Sequence, residues 1–172
     1  MRWSTGVSFL AGLFFLLSIG IGRTQNSEEF YKMLDDMYQH SVQQISPTDL
    51  NAKISDSKYI ILDTRELNEF EVSHLPGAIF VGFDNFSLQN IASISKEHII
   101  VMYCSVGYRS ERIGELLLKN GYSNVLNLRG GIFEWAALQY KLVDSEKNVV
   151  KKVHPYNKRW SKWVRNCEIA YE

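Results

Sequence analysis

The residue in this chain best placed to do chemistry is Cys104. It follows the run His98-Ile99-Ile100-Val101-Met102-Tyr103 and precedes Ser105-Val106-Gly107-Tyr108-Arg109-Ser110. The reactive form of cysteine is the thiolate, and both a helix N-terminus and a neighbouring cation favour it. Arg109 supplies the cation and Ser110 opens a helical pattern, so Cys104 reads as a nucleophile that ionises more easily than a free thiol. Gly107 lets the intervening loop turn so that successive backbone N–H groups point inward as an anion-binding nest. The competing reading of a cysteine that ends a buried strand is a small core residue. Polar and glycine residues directly after it, and then an arginine at the opening of a helix, weigh toward chemistry.

The elements that must hold this loop are legible on both sides of it. The run from His98 to Tyr103 is continuous, apolar and rich in β-branched residues, as a central parallel strand covered on both faces requires. Ser110 to Gly121 reads as a helix with Ile113, Leu116 and Leu117 on one face and Gly121 as its stop. In an open parallel sheet the crevice at the carboxyl ends of the strands is where ligands bind, and the helix dipole there favours negative charge. Ser46-Pro47-Thr48-Asp49 combines a cap, a first-turn proline and an acid, and starts another helix with Leu50 and Ile54 on its apolar face. Tyr59-Ile60-Ile61-Leu62 follows as the first buried strand, and Ser123 to Leu128 as a later one. Alternation of strand and helix predicts an α/β fold, an open parallel sheet with helices on both faces in a single domain.

Asp63 and Arg65 emerge at the same sheet edge as Cys104. They either brace the cysteine loop through a charge-assisted hydrogen bond or form a structural ion pair that caps a short helix. Arg129-Gly130-Gly131 allows a tight turn into a helix from Ile132 to Leu138, with Trp135 as its core anchor and Arg129 adding positive potential near the site. His74 precedes the turn signal Pro76-Gly77 and reads as a turn-stabilising residue. Phe80 to Ser95 is consistent with a short strand, a loop and a helical turn. His40, His74, His98 and His154 lack ligand-like spacing with one another or with a cysteine, so no metal site and no cofactor is expected.

Four stretches together resemble the rhodanese-like domains: Cys104 to Ser110, Asp63-Thr64-Arg65-Glu66 with Glu69-Phe70, His74 to Ile79, and Arg129-Gly130-Gly131 followed by Trp135. The resemblance covers roughly residues 43 to 142. It implies a doubly wound α/β fold, a cysteine that carries a persulfide, and sulfur transfer from a small sulfur-containing anion such as thiosulfate to a thiol or cyanide. Cys104 is then the catalytic residue, and Ser105, Val106, Gly107, Tyr108, Arg109 and Ser110 form the substrate cradle. The backbone N–H groups of that cradle would stabilise anionic sulfur, and Arg109 would dock the anionic donor. Asp63, Arg65 and Arg129 are supporting residues. Dual-specificity phosphatases of the cell-cycle type look similar but carry one more residue in the loop. Four residues separate Cys104 from Arg109, the shorter cradle of the sulfurtransferases. Ser105 stands where many thiosulfate-using members carry a basic residue, which leaves the donor open. A binding or sensing module using the same loop without turnover is another class of function, although such a module would typically lack the cysteine; phosphatase or arsenate-reductase activity is a third, disfavoured by the length of the loop.

The flanks read differently. At 172 residues with zero formal net charge, the chain has room for one domain plus extensions, and the balance argues against nucleic acid as a partner. Residues 1–22 carry Arg2 ahead of an apolar run that includes Val7, Phe9, Leu10 and Leu13 to Leu17 and ends in small residues. They are expected to serve as an export signal or to persist as an N-terminal membrane anchor. Residues 23–42 are an acidic lead-in, with an amphipathic helix expected over Asn26 to Gln44. Residues 143–172 are basic and aromatic, with Tyr156, Trp160 and Trp163 among seven Lys and Arg. Their opposite charge suggests that they dock on the acidic lead-in, with a membrane surface or a frayed end as alternatives. A disulfide between Cys104 and Cys167 would extinguish the nucleophile and is not expected.

Overall fold

The computed structural model describes residues 26–172. The proposed export or anchor segment, residues 1–22, lies outside the described residues. Among those that are described, no helix is long and apolar enough to cross a membrane. The chain divides into two units at Asp36/Met37. In the first, most of a helix over 26–37 (α1) carries Phe30 and Leu34 on one side and the exposed Lys32–Asp36 ion pair, 2.7 Å, on another. That helix is shorter than the sequence suggests: it stops at residue 37, and His40 takes a left-handed φ of 53°. Gln43–Ile45 is instead a strand, β1, whose residues pair in register with a strand far along the chain. The polar, locally ambiguous Gln43-Gln44 takes its conformation from that partner, as short edge strands commonly do.

The second unit, Met37–Glu172, is built on five parallel strands. After β1 come α2 (Pro47–Asn51), β2 (Tyr59–Asp63), α3 (Leu67–Val72), β3 (Ile79–Phe80), β4 (Ile99–Tyr103), α4 (Tyr108–Lys119), β5 (Val125–Leu128) and α5 (Gly131–Ala137). The strand order is β1-β5-β4-β2-β3, every neighbour parallel. Ser46 caps α2, its Oγ accepting from the Asp49 amide at 3.1 Å, with Pro47 in the first turn where its missing N–H costs nothing. Alternation along β4 divides the core. Ile100 and Met102 join Leu62, Ile113, Leu117 and Val125 on the α4 side, while Val101 and Tyr103 turn to the opposite face. α4 packs against β4 and β5, and α2 against α5.

This order creates a switch point. From β2 the chain steps outward to β3, then returns to the other side of β2 to make β4, from which it proceeds to β5. The loops after β2 and β4 therefore part at neighbouring strand ends, leaving a crevice of the kind in which open α/β sheets bind ligands. Asp63-Thr64-Arg65 leaves one strand end and Cys104 the other. The Thr64 amide and hydroxyl both donate to the Tyr103 carbonyl, at 2.9 and 3.0 Å, stitching the two ends together one residue before the cysteine.

The segment after α5 packs into the same unit. β6 (Leu142–Val143) pairs with β7 (Val149–Val150), and β8 (Lys152–Val153) with β9 (Glu168–Ile169). β8 lies against α3 and α5; Val153 is fully buried, and the Ser73 hydroxyl donates to the Lys152 carbonyl at 2.6 Å. Arg165 pairs with Glu134 of α5, and the Asn166 side chain donates to the Ala137 carbonyl. These contacts fasten the basic aromatic segment to the domain.

Candidate functional site

Cys104 follows the last residue of β4 and is 1% exposed, yet its side chain contributes to the floor of a cavity. Gly107 takes φ +104°, a conformation that favours glycine, and its N–H donates to the Cys104 sulfur at 3.1 Å. The helix begins at Tyr108, two residues earlier than its pattern suggested, because this left-handed glycine lets the chain turn straight into α4. Two further devices hold the loop. α5 approaches from below, with the Ile132 and Phe133 amides donating to the carbonyls of Cys104 and Ser105 at 3.0 and 3.1 Å. Gly131 must be glycine for that approach: a Cβ there would meet the Cys104 carbonyl oxygen at 2.2 Å. The Tyr38 hydroxyl, just beyond α1, donates to the Val106 carbonyl and accepts from the Gly130 amide at 3.0 Å. Burial pushes the Tyr38 phenol well above its ordinary value, the Gly130 bond pulling the other way, so it stays a neutral bridge between the two turns.

The cradle residues separate into two groups. Ser105, Val106, Tyr108 and Arg109 line the cavity with Cys104. Ser110, whose expected part in the cradle is its backbone N–H, has a fully buried side chain, its hydroxyl donating to Asn127 Oδ1 at 2.7 Å while Asn127 Nδ2 donates to the Gly107 carbonyl at 2.9 Å. Within the first turn of α4, its side chain is directed toward Asn127 of β5.

Arg109 is also not the open cation of the sequence reading. Its guanidinium forks onto Glu69, with two bonds of 2.8 Å, and donates to Ser105 Oγ at 3.0 Å. Ser105 Oγ in turn donates to Glu69 at 2.9 Å. Glu69 is 1% exposed and also accepts from the Glu66 amide at 3.0 Å. Burial would lift the Glu69 carboxyl, but the Arg109 bonds and the Arg109 and Arg65 charges hold it below the usual carboxylate range. Burial works against the Arg109 charge as well, and is outweighed by the Glu69 bonds and by the Cys104 sulfur, so its pKa is raised. The aromatic ring of Tyr156 lies 4.8 Å from the same guanidinium.

Asp63 and Arg65 form the structural pair rather than part of the cradle wall. Both are fully buried, joined by Arg65 Nη2 to Asp63 Oδ2 at 2.7 Å and by bonds from Arg65 Nε to both carboxylate oxygens. Arg65 also donates to the Ser73 carbonyl at 2.6 Å, and Asp63 accepts the Tyr103 hydroxyl at 2.5 Å. The pair thus grips the residue before Cys104. Arg129 does not line the cavity; its backbone N–H is bonded to the Ile45 carbonyl at 3.0 Å, and its charge reaches Tyr38.

The cavity above Cys104 has a volume of about 340 Å³. Glu66, Phe83 and Asp84 close it on the β2–β3 side, and Met37, Tyr156 and Trp160 come from the flanks. From sequence Glu69 figured only in the family resemblance, with no role at the site, and Tyr38 did not figure at all. Glu69 had a signal in its position three residues after Glu66, a capping spacing. Tyr38 had none, since its role exists only where a distant turn meets it. Cys104 and Cys167 are free thiols in different cavities; burial raises the pKa of Cys167.

A doubly wound parallel sheet whose central strand ends in a buried cysteine, followed by a short loop and an arginine, defines a class of cysteine-loop α/β domains. The sequence profile of the rhodanese-like domain matches residues 46–138, and the chain belongs to that family. Among curated proteins it is 38% identical over 92 residues to the tRNA uridine(34) hydroxylases of Yersinia enterocolitica and Yersinia pestis, which covers 51% of this chain and 26% of those proteins. The chain thus spans about a quarter of the length of these relatives. Among solved structures, a rhodanese-like domain from Anabaena superposes with a TM-score of 0.55 at 21% identity, covering 59% of this chain and 78% of that one. A thiosulfate sulfurtransferase from Pseudomonas aeruginosa gives 0.56 at 20% identity, covering 69% of this chain and 23% of the other. At those identities the likeness is one of fold.

Proposed function

We propose that this chain is a rhodanese-type sulfurtransferase that carries sulfane sulfur on Cys104. The observation that supports this most directly is the cysteine's seat: a strand-end thiol on a cavity floor, receiving the Gly107 N–H at 3.1 Å with the Arg109 guanidinium in the same wall. The Cys104 thiolate attacks the outer sulfur of a donor; the donor's S–S bond breaks, its electron pair leaves with the departing thiol or sulfite, and a new S–S bond forms on Cys104. With thiosulfate the products are the cysteine persulfide anion and sulfite. The added sulfur extends into the cavity, where helix and loop N–H groups favour its negative charge. A thiol or cyanide acceptor then removes it, regenerating Cys104. The zero net charge of this chain supplies no general attraction for tRNA, the substrate named for the tRNA uridine(34) hydroxylases.

Intact-mass measurement after exposure to sulfane donors tests this reading. The protein should gain one sulfur atom, mapped to the peptide with Cys104, and lose it on addition of cyanide with release of thiocyanate. Cys104→Ser should abolish the gain and Cys167→Ser should leave it. Failure of thiosulfate, polysulfide and organic persulfides alike to load the protein would sink the assignment and leave reversible anion binding in its place.

A further inference from the structure

The walls of the cavity carry information about the donor that the cysteine loop does not. Met37, Tyr156 and Trp160 all lie outside residues 46–138, so this part of the pocket belongs to the chain's own flanks and not to the matched domain. With Phe83 and Tyr108 they make the walls largely aromatic and apolar. The volume, about 340 Å³, falls within the span of roughly 300–1,000 Å³ typical of sites for organic small molecules. An inorganic oxyanion would leave most of it unfilled.

Charge points the same way. The wall's guanidinium, Arg109, is matched by Glu69 through two bonds of 2.8 Å, and Glu66 Oε1 stands 3.9 Å from its Nη1. Glu66 and Asp84 line the cavity with no lysine beside them. Counting Arg109 with Glu69 as a neutral pair leaves the two wall carboxylates as its formal charge. A dianion must approach against that field, whereas an uncharged or cationic molecule enters freely or is drawn in. Aromatic faces reinforce the selection, since they attract cations and pack against organic groups.

Resting on the sulfurtransferase reading, we infer that the sulfur donor is a small organic persulfide, uncharged or positively charged on its organic part, and not thiosulfate. Cys104 thiolate attacks the terminal sulfur of R–S–SH; a new S–S bond forms on Cys104, the donor's own S–S bond breaks with its electron pair leaving on the thiolate RS⁻, and Cys104 is left as the persulfide Cys–S–SH. The organic group R occupies the space between Phe83, Tyr108, Tyr156 and Trp160, with any cationic end toward Glu66 and Asp84.

Three persulfides of matched length test the idea on the full chain: aminoethyl, hydroxyethyl and carboxyethyl persulfide, each compared with thiosulfate by the second-order rate of sulfur loading onto Cys104. The expected order is aminoethyl, then hydroxyethyl, then carboxyethyl, with thiosulfate slowest and about tenfold or more separating the first from the third at low salt. Glu66→Gln combined with Asp84→Asn should compress that spread to about twofold, and Trp160→Ala should slow all three organic donors without slowing thiosulfate. Thiosulfate or the carboxyethyl compound loading fastest, or an unchanged spread in the double variant, would overturn the donor class while leaving sulfur transfer intact. No loading by any donor would remove both conclusions together.

Discussion

Two arginine–carboxylate pairs stand at the same edge of the sheet, and they differ in what surrounds them. Arg65 and Asp63, two residues apart, are both fully buried, and their remaining bonds go to the Ser73 carbonyl and the Tyr103 hydroxyl. Arg109 and Glu69 are forty residues apart; the arginine side chain is 14% exposed, lines the cavity and shares its carboxylate with Ser105. The first pair has no face toward a ligand and fixes the strand ends. The second fixes the loop and at the same time sets the charge of the pocket wall. A buried ion pair offers little net stability over an apolar one, but removing one partner leaves an uncompensated charge. The comparison teaches that an arginine beside a strand-end cysteine cannot be read as a free cation without its carboxylate partner, here Glu69.

The largest effect should come from breaking the inner pair. Arg65→Ala leaves Asp63 charged and buried beneath Tyr103, and should cost about 3–5 kcal/mol in equilibrium denaturation, with sulfur loading lost in proportion to the unfolded fraction. Full stability in that variant would mean that Asp63 finds other compensation.

Breaking the outer pair should cost less stability and more function. Arg109→Ala would leave the thermal transition almost unchanged if the guanidinium stood free in the pocket, as its place in the loop suggests. Because it instead compensates the buried Glu69, the expected loss is about 2 kcal/mol, with sulfur loading slowed far more than the unfolded fraction explains. Glu69→Gln retains most hydrogen-bonding capacity and frees the Arg109 charge. It should therefore shift donor preference toward thiosulfate, measured as the ratio of loading rates. An Arg109→Ala protein as stable as the parent would erase the distinction between the pairs.

The smallest effect is one of pH. Burial, the largest cause, lowers the His154 pKa from its ordinary 6.5, with Arg65 and Arg109 adding to the effect and Glu69 opposing it. Its Nδ1 accepts the Tyr156 amide at 3.0 Å, which requires that nitrogen to be unprotonated. A depressed folded pKa means that the unfolded chain binds the proton more readily. The contribution is thus present above 6.5 and lost as pH falls through the folded value. Glu69, held below 4.5, behaves likewise at lower pH. Stability should therefore decline in two steps on acidification. Trp160 fluorescence, followed in a protein whose other tryptophans are replaced by phenylalanine, should change in the first step, and His154→Gln should remove that step.

What could be read from the residues in order was whatever short-range rules decide. The β-branched run before Cys104 specifies a buried strand, Ser46-Pro47 a helix start, Gly107 a turn, and their alternation an α/β sheet. Arg65 and Asp63 were recognisable as a pair because two residues separate them. β1 was not recognisable, because Gln43-Gln44-Ile45 has no pattern of its own and becomes a strand by pairing with β5 some eighty residues later. The bond of the Ser110 hydroxyl to Asn127 was not recognisable either, because the two residues belong to different elements, α4 and β5.

The sequence by itself marked Cys104 as the candidate nucleophile and determined the strand that presents it and the helix that opens behind it, since each depends on residues close to Cys104 in the chain. Only the tertiary structure decided that Arg109 is neutralised by Glu69, that Tyr38 bridges Val106 and Gly130, and that Tyr156 and Trp160 wall the cavity. These partners are separated along the chain by forty to ninety-two residues. No local rule links them: they meet because parallel crossovers bring the loops after β2 and β4 to one edge, and because the segment beyond α5 folds back over it.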